Sequence, residues 1–311
     1  MFRRILLGIL AALFFSSTFI LNRAMSLGGG HWVWSSSLRF GYMVIFLVLI
    51  LLLTRGVEAL RQVWQVFRQY WRFWVLAGSI GFGVFYALIS FSAAYAAGWI
   101  VATTWQITIL ATPIVLLFFG RKVPVKGLIL TAVIFLGILA VNVEHAGTTS
   151  MATMLTGALP VLGAAFAYPI GNQMVWEALQ GNHPRLPRIK NKILENGFAR
   201  VLLLTMGSIP FWLLLVLVTR PPAPSGGQLL STAMVALFSG VIATTIFLYA
   251  RSLCYHAYEI AAVDATQSME MVFSLVGEVI FLHGALPGPL GWAGVLLTIA
   301  GLVAYIIFQN R

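Results

Sequence analysis

Three polar residues share one side of a long apolar segment near the end of the chain. The segment 263–283 reads VDATQSMEMVFSLVGEVIFLH and is long enough to cross a bilayer as a helix. Glu270, Ser274 and Glu278 recur at every fourth position, so a helix carries all three on one face. A charged side chain at mid-membrane costs about 2.5–3.5 kcal/mol on insertion scales. Glu270, near the middle of the segment, is therefore expected to face water, a partner or a transported molecule.

A carboxylate in a medium of low dielectric constant holds a proton or a cation, and rarely both. This competition is sufficient for antiport, in which outside protons displace the cargo and a cytoplasmic cation displaces the proton. Glu270 and Glu278 are the predicted coupling residues, with Arg23 or Arg39 as candidate partners of Glu278. The alternative for Glu270 is a structural hydrogen bond between helices. Asp264 lies close enough to the end of the segment to be solvated.

The composition is that of a polytopic membrane protein. Of the 311 residues, 60% are hydrophobic and 9% are charged, and the mean hydropathy is +0.95. A soluble domain of this size needs more polar surface than these numbers allow. The single cysteine, Cys254, excludes an internal disulfide framework and a metal site built from several cysteines.

Ten apolar runs separated by short polar breaks predict ten transmembrane helices and an all-α fold. The predicted spans are 5–24, 32–54, 73–93, 98–119, 124–143, 153–177, 197–219, 230–251, 258–282 and 288–308. With the N-terminus placed in the cytoplasm, sixteen of the nineteen Lys and Arg residues fall on the cytoplasmic side. This is the positive-inside rule, and it predicts a multi-pass protein of the inner (cytoplasmic) membrane with both termini in the cytoplasm. The net charge of +11 follows from this topology, which argues against nucleic acid as a partner.

The two halves of the sequence resemble each other. Asn22 in the first span matches Asn172 in the sixth. Arg39 in the second span matches Arg200 in the seventh. Because each copy has five helices, the second enters the membrane from the opposite side, and such inverted repeats are typical of transporters. The predicted repeats are an N-terminal one at 1–147 and a C-terminal one at 148–311.

The chain resembles the drug/metabolite transporter superfamily in its ten-helix, EamA-like form. The strongest likeness is ATTWQITILATPIVLLFFGRKVPVKGLILTAVIFLGILAV at 102–141, which has a small-residue helix, a mid-helix Pro113 and a short basic break. SSTFILNRAM at 16–25 and LRF at 38–40 also fit. Where the family usually has a proline in the ninth helix, this chain has Met269 and Glu270. The resemblance implies a secondary transporter with a central cavity, and the acidic ninth helix points to the multidrug-resistance efflux branch.

Aromatic, amide and hydroxyl residues within the spans are predicted to bind the cargo, because aromatic faces attract organic cations. The alternative is that they pack helices or form interface belts. The candidates are Tyr86 in the third span, Trp105, Gln106 and Thr108 in the fourth, Tyr168, Asn172 and Trp176 in the sixth, Asn22 in the first and Tyr249 in the eighth.

Arg39 and Arg200 support a second hypothesis, in which a metabolite or amino-acid exporter driven by a gradient alone uses them to bind an anionic group of its cargo. Snorkelling to the interface is the alternative for both. The sequence has no GxSxG, HExxH or P-loop motif and no histidine pair with metal-ligand spacing, so neither an enzyme, a metal site nor a cofactor is predicted.

The function predicted from the sequence is export of small cationic or amphipathic organic compounds in exchange for protons through Glu270. The expected partners are a small molecule, protons and the lipid bilayer. Ten helices contain both halves of a pathway, so a monomer is sufficient and a dimer is compatible.

Overall fold

The computed structural model describes residues 2–120, 125–148, 150–181, 183–253, 263 and 266–308, which are mostly helical and contain no β-strand. Its helical segments are α1 Phe2–Leu27, α2 Trp32–Gln69, α3 Trp71–Ser92, α4 Gly98–Phe118, α5 Val125–Thr148, α6 Met151–Gln180, α7 Gly197–Thr219, α8 at 226–252, α9 Met269–Leu282 and α10 Pro289–Phe308. Seven of them, α1 to α4 and α6 to α8, are long and apolar enough to cross a membrane. The protein is therefore a polytopic helical membrane protein, and the count of ten crossings stays a prediction.

The segment that carries Glu270 differs from the continuous helix expected over 258–282. Thr266–Ser268 form a 3-10 turn, and α9 begins only at Met269. Glu270 therefore lies in the first turn of α9, where the partial positive charge of a helix N-terminus favours a carboxylate. Asp264 lies outside the described residues.

Two helices contain a π-helical stretch, Ser79–Val84 in α3 and Ala236–Ala243 in α8. The stretch in α3 packs against α6 and α7, and the stretch in α8 packs against α1 and α2. In addition, α2 packs on α7 and α5 packs on α10. In a duplication of five helices, α1 to α5 correspond in order to α6 to α10. The packing of α3 on α6 and α7 then corresponds to the packing of α8 on α1 and α2. The duplication, its inverted sense and the boundary between 147 and 148 stay predictions.

Glycines bring the backbones of α3 and α7 into direct contact. A Cβ atom on Gly207 would overlap the carbonyl group of Trp74, and one on Gly78 would lie 2.7 Å from the amide nitrogen of Ser208. This contact lies in the larger hydrophobic core, to which α2, α3 and α7 contribute Leu47, Trp74 and Leu203. The glycines thus fix the spacing of helices that surround the candidate site.

Replacing Gly207 by alanine is expected to lower the free energy of unfolding by about 1–3 kcal/mol, because the added methyl group meets backbone that cannot move aside cheaply. Gly41 in α2 is the matched control, since a Cβ atom there meets nothing within 4 Å. Thermal unfolding in detergent measures both variants. A Gly207→Ala protein as stable as Gly41→Ala would contradict the close approach of α3 and α7.

Candidate functional site

The polar face of α9 is buried. Glu270, Ser274 and Glu278 are 5%, 0% and 5% exposed, respectively. α9 packs against α1 and α4, and its Met271 belongs to the same core as Trp105. Within the described residues, the Glu270 carboxylate makes no hydrogen bond or ion pair, and the Ser274 hydroxyl has no partner. The helical face deduced from the spacing is thus present, and Glu270, one of its two acidic residues, is a buried carboxylate without a protein partner in this part of the chain.

Glu278 has a structural partner. Its carboxylate accepts a hydrogen bond of 3.1 Å from the amide of Trp99, in the first turn of α4. At the same turn of the chain, the Arg23 guanidinium donates to the carbonyls of Ala93 and Ala94, just after α3. A helix carries a partial positive charge at its N-terminus and a partial negative charge at its C-terminus. The Glu278 carboxylate at the start of α4 and the Arg23 guanidinium at the end of α3 therefore both interact favourably with the helix ends and stabilise the connection between α3 and α4. Proton or cation coupling by Glu278 stays a prediction.

Arg39 belongs to a chain of buried polar groups on α1, α2, α3 and α8. Its Nη2 donates to the Ser239 Oγ at 3.1 Å, and its guanidinium lies 3.9 Å from the ring centroid of Tyr86. The Thr18 hydroxyl also donates to the Ser239 Oγ, at 2.7 Å. Asn22 donates to the Tyr86 hydroxyl at 3.1 Å. The structure thus brings Asn22, Tyr86 and Arg39 together, and gives each a contact within the protein.

Trp105 and Tyr168 meet in an aromatic cluster with Phe85. The ring centroids of Phe85 and Trp105, and those of Phe85 and Tyr168, are each 4.9 Å apart. Trp105 and Tyr168 themselves pack edge to face at 5.6 Å. Trp105 is 8% exposed, so the cluster is part of the packed core between α3, α4 and α6.

The polar neighbours of this cluster make local hydrogen bonds. α4 is interrupted after Trp105 and resumes at Thr108. The Gln106 side chain donates to the carbonyl of Ala102 at 3.2 Å, and the Thr108 hydroxyl donates to the carbonyl of Ala165 in α6 at 3.3 Å. These bonds satisfy polar groups at a break in the helix. Binding of cargo by Gln106 and Thr108 stays a prediction.

Arg200 and Tyr249 line a cavity of about 310 Å³ between α2, α7 and α8. Arg3 of α1 donates to the Tyr249 hydroxyl at 3.4 Å. Glu270 is not among the residues that line this cavity, which are Leu47, Arg55, Glu195, Asn196, Gly197, Phe198, Arg200, Val201, Gly240, Val241, Thr244, Thr245 and Tyr249.

Asn172 and Trp176 lie on an exposed face of α6, and Trp176 is 43% exposed. Tyr168, one turn earlier, is half-buried in the aromatic cluster. The spacing therefore places the three on one side of the helix, and Tyr168 contacts another candidate residue, Trp105.

Glu144 and Glu177 were not singled out from the sequence, although both accept hydrogen bonds within the helical bundle. Glu144 in α5 accepts hydrogen bonds of 2.7 Å from the amides of Gly288 and Gly291, at the start of α10. Glu177 in α6 is 1% exposed and accepts a hydrogen bond of 2.8 Å from Gln173. Glu177 could have been found as Glu270 was, since it is also an acidic residue in a predicted span. Glu144 could not, because its partners are 144 and 147 residues away.

These features define a class of protein. A bundle of apolar helices with buried charged groups, interrupted helices and a cavity between helices is typical of a membrane transporter. A family model described as "EmrE: Putative multidrug resistance efflux transporter" matches residues 2–311. The chain therefore belongs to this family of small-molecule efflux transporters within the drug/metabolite transporter superfamily, and the resemblance inferred from the sequence is confirmed. Family membership indicates a transporter rather than an enzyme.

The chain is also similar to individual proteins. "Uncharacterized protein YjlA" of Bacillus subtilis (strain 168) is 39% identical over 319 residues, which cover 97% of this chain and 94% of YjlA. A protein of Shouchella clausii described as "Uncharacterized 42.1 kDa protein in intracellular alkaline protease 3'region" is 36% identical over 260 residues, which cover 80% of this chain and 64% of that protein. A solved structure described as "Crystal structure of protein" has a TM-score of 0.61 at 15% identity and covers 99% of this chain and 97% of its own. That likeness shows the fold.

Proposed function

We propose that the protein exports small cationic or amphipathic organic compounds in exchange for protons, with Glu270 as the coupling group. The observation that carries the proposal is the buried Glu270 carboxylate, which makes no hydrogen bond or ion pair within the described residues. A buried carboxylate without a protein partner is costly unless it binds a proton or a cation. Either ligand neutralises it, and the two compete for the same oxygens.

The hydrophobic core that α9 enters contains an aromatic cluster of the kind that attracts organic cations. Met271, next to Glu270, packs in the core that contains Trp105, and Trp105 contacts Tyr168 and Phe85. Aromatic faces attract cations by about 0.5–2 kcal/mol each, depending on desolvation. A cation held by the carboxylate would leave when a proton arrives, and the empty, protonated carboxyl would return to release its proton. Glu270 thereby links the two fluxes.

Purified protein in liposomes under an imposed pH gradient tests this function. Candidate cargoes are organic cations, amino acids and nucleotide-like anions, with cargo and proton fluxes recorded together. We expect a cation to move against the proton flux and to reverse direction when the gradient is reversed. Cargo movement that is indifferent to the pH gradient would contradict proton antiport.

We also propose the membrane arrangement predicted from the sequence, an inner-membrane protein with both termini in the cytoplasm and inverted repeats at 1–147 and 148–311, for which a monomer is sufficient and a dimer is compatible. Under this topology, the cavity between α2, α7 and α8 lies on the cytoplasmic side, because it includes Arg55 at the end of the second crossing and Gly197 at the start of the seventh. Cytoplasmic cargo would enter there.

A second candidate function is gradient-driven export of an amino acid or another metabolite with an anionic group. Two observations favour it. Arg55 and Arg200 both line the cavity, and Arg39 is 8% exposed with no ion pair to a carboxylate among the described residues. Arg39 has no carboxylate partner in the described part of the chain, and such a cation is suited to bind an anion.

The two candidates differ in what Arg200 does. If the cargo carries an anionic group, Arg200→Gln is expected to raise the cargo concentration for half-maximal transport by at least about tenfold, since charge-assisted hydrogen bonds contribute about 1.5–3 kcal/mol. Arg185→Gln, at an exposed loop position, is the matched control. Unchanged transport of anions by Arg200→Gln would exclude the anion role, and the same assay with cations shows whether the loss is specific to charge.

A further inference from the structure

The closed end of the cavity lies beside Ser239. On α2 the cavity runs from Arg55 to Leu47, which are eight residues or about 12 Å apart along the helix. On α8 it runs from Tyr249 to Gly240, and Ser239 is the next residue beyond its end. The cavity therefore stops at the π-helical stretch Ala236–Ala243 of α8.

One face of α2 leads from this cavity into packed protein. Leu47, Met43 and Arg39 are spaced four residues apart and lie above one another on the helix. Leu47 lines the cavity, and Met43 packs against Gly240, where an added Cβ atom would lie 2.9 Å from the Met43 sulfur. Arg39 donates to Ser239. Successive turns of α2 thus change from lining the cavity to closing it against α8.

Beyond Met43 and Gly240, the polar side chains bind one another. The Ser239 Oγ accepts from the Thr18 hydroxyl at 2.7 Å and from Arg39 Nη2 at 3.1 Å. The members of this group are at most 8% exposed, and none of them lines the cavity; they are Thr18, Asn22, Arg39, Tyr86, Ser90 and Ser239. The Ser239 hydroxyl of α8 is therefore hydrogen-bonded to both α1 and α2 at the end of the cavity.

We infer that Ser239 is a positioning residue that closes the transport pathway, and that its bonds to Thr18 and Arg39 hold α8 against α1 and α2 on the far side of the cavity. When these bonds open, the π-helical stretch separates from Met43 and the cavity extends past Gly240 toward the opposite face. The inference rests on the proposed transport function, but it does not depend on the charge of the cargo or on Glu270. The π-helical stretch Ala236–Ala243 fits this role, since π-helical turns within α-helices occur frequently at functional sites.

Thiol labelling tests the barrier. In a Cys254→Ser background, which has no other cysteine, Thr245→Cys reports on the cavity and Ser90→Cys reports on the far side of the polar group. Val141→Cys, 0% exposed beside Gly294 of α10, reports on general loosening of the fold. A membrane-impermeant maleimide is added from the side on which Thr245→Cys reacts. We expect Ser90→Cys and Val141→Cys to resist it.

Ser239→Ala removes both bonds, and Thr18→Val removes one while keeping the shape of the side chain. Each is expected to raise the labelling rate of Ser90→Cys from the cavity side, with at least about a tenfold increase for Ser239→Ala because a charge-assisted bond is lost. Ser16→Ala is the matched control, since among the described residues this buried hydroxyl of α1 bonds only to the carbonyl of Leu13 in its own helix.

Three results would overturn the inference. The first is that Ser90→Cys already reacts from the cavity side when Ser239 and Thr18 are intact. The second is that Ser239→Ala raises the labelling rate of Ser90→Cys no more than Ser16→Ala does. The third is that Ser239→Ala and Thr18→Val raise the labelling rate of Val141→Cys as much as that of Ser90→Cys. The last result would show that the hydroxyl stabilises the fold in general. Because labelling needs neither cargo nor a proton gradient, failure here leaves coupling through Glu270 unaffected, and the reverse also holds.

Discussion

Glu270→Gln is expected to abolish cargo movement driven by a pH gradient, down to the level of liposomes without protein, while the purified protein remains folded. Glutamine keeps the size and the polarity of the side chain but can neither release a proton nor hold a cation by charge. Because the Glu270 carboxylate is 5% exposed and unpartnered in the described part of the chain, removing its charge lowers the cost of burial. The melting temperature should therefore be unchanged or higher. Coupled flux assays and thermal unfolding measure the two effects.

Glu58→Gln is the matched control for this experiment. Glu58 is exposed on the helical extension of α2 and pairs with Arg61 at 3.0 Å, so its replacement should change neither flux nor stability measurably. Proton-driven rates equal to wild type in Glu270→Gln would defeat coupling through this carboxylate. Loss of flux together with a lower melting temperature would favour the alternative reading of Glu270 as a structural residue.

Glu278→Ala should show the opposite pattern, a large loss of stability with coupling retained. The carboxylate accepts from the Trp99 amide in the first turn of α4, and loss of a hydrogen bond to a charged group costs about 1.5–3 kcal/mol. The alanine variant is expected to unfold at a lower temperature, while each molecule that remains folded still couples cargo to protons. Thermal unfolding and flux per folded molecule separate the two quantities.

Glu278→Gln is the companion variant, because its amide oxygen can still accept from Trp99. It should recover most of the stability lost in Glu278→Ala and keep proton coupling. A stable Glu278→Gln protein that has lost coupling would instead support the coupling role predicted for this residue from its place on the face of Glu270.

Periodicity revealed which polar residues share a side of a helix, but not what that side meets. Glu270, Ser274 and Glu278 were placed on one face by their spacing, and all three are buried. Tyr168 and Trp176 follow the same spacing, yet Tyr168 contacts Trp105 while Trp176 is 43% exposed. The direction of a face depends on neighbouring helices, which a local pattern does not contain.

The positions at which helices are interrupted could not be predicted from the local sequence either. The apolar run before Glu270 looks continuous, yet α9 begins at Met269 after a 3-10 turn. The π-helical stretches Ser79–Val84 and Ala236–Ala243 occur where α3 and α8 pack against other helices. Because tertiary contacts stabilise such departures from α-helical geometry, a single sequence gives little sign of them. The membrane class, by contrast, followed from composition alone.

The Glu144 carboxylate has a practical consequence. It binds the amides of Gly288 and Gly291, and further along the same pair of helices the backbones meet at Gly137 and Gly294. α5 and α10 are thus in contact at two levels, and none of the described residues that line the cavity belongs to either helix. The distance between spin labels placed on these two helices should stay constant during transport. It can therefore serve as an internal reference for distance changes measured between other helices.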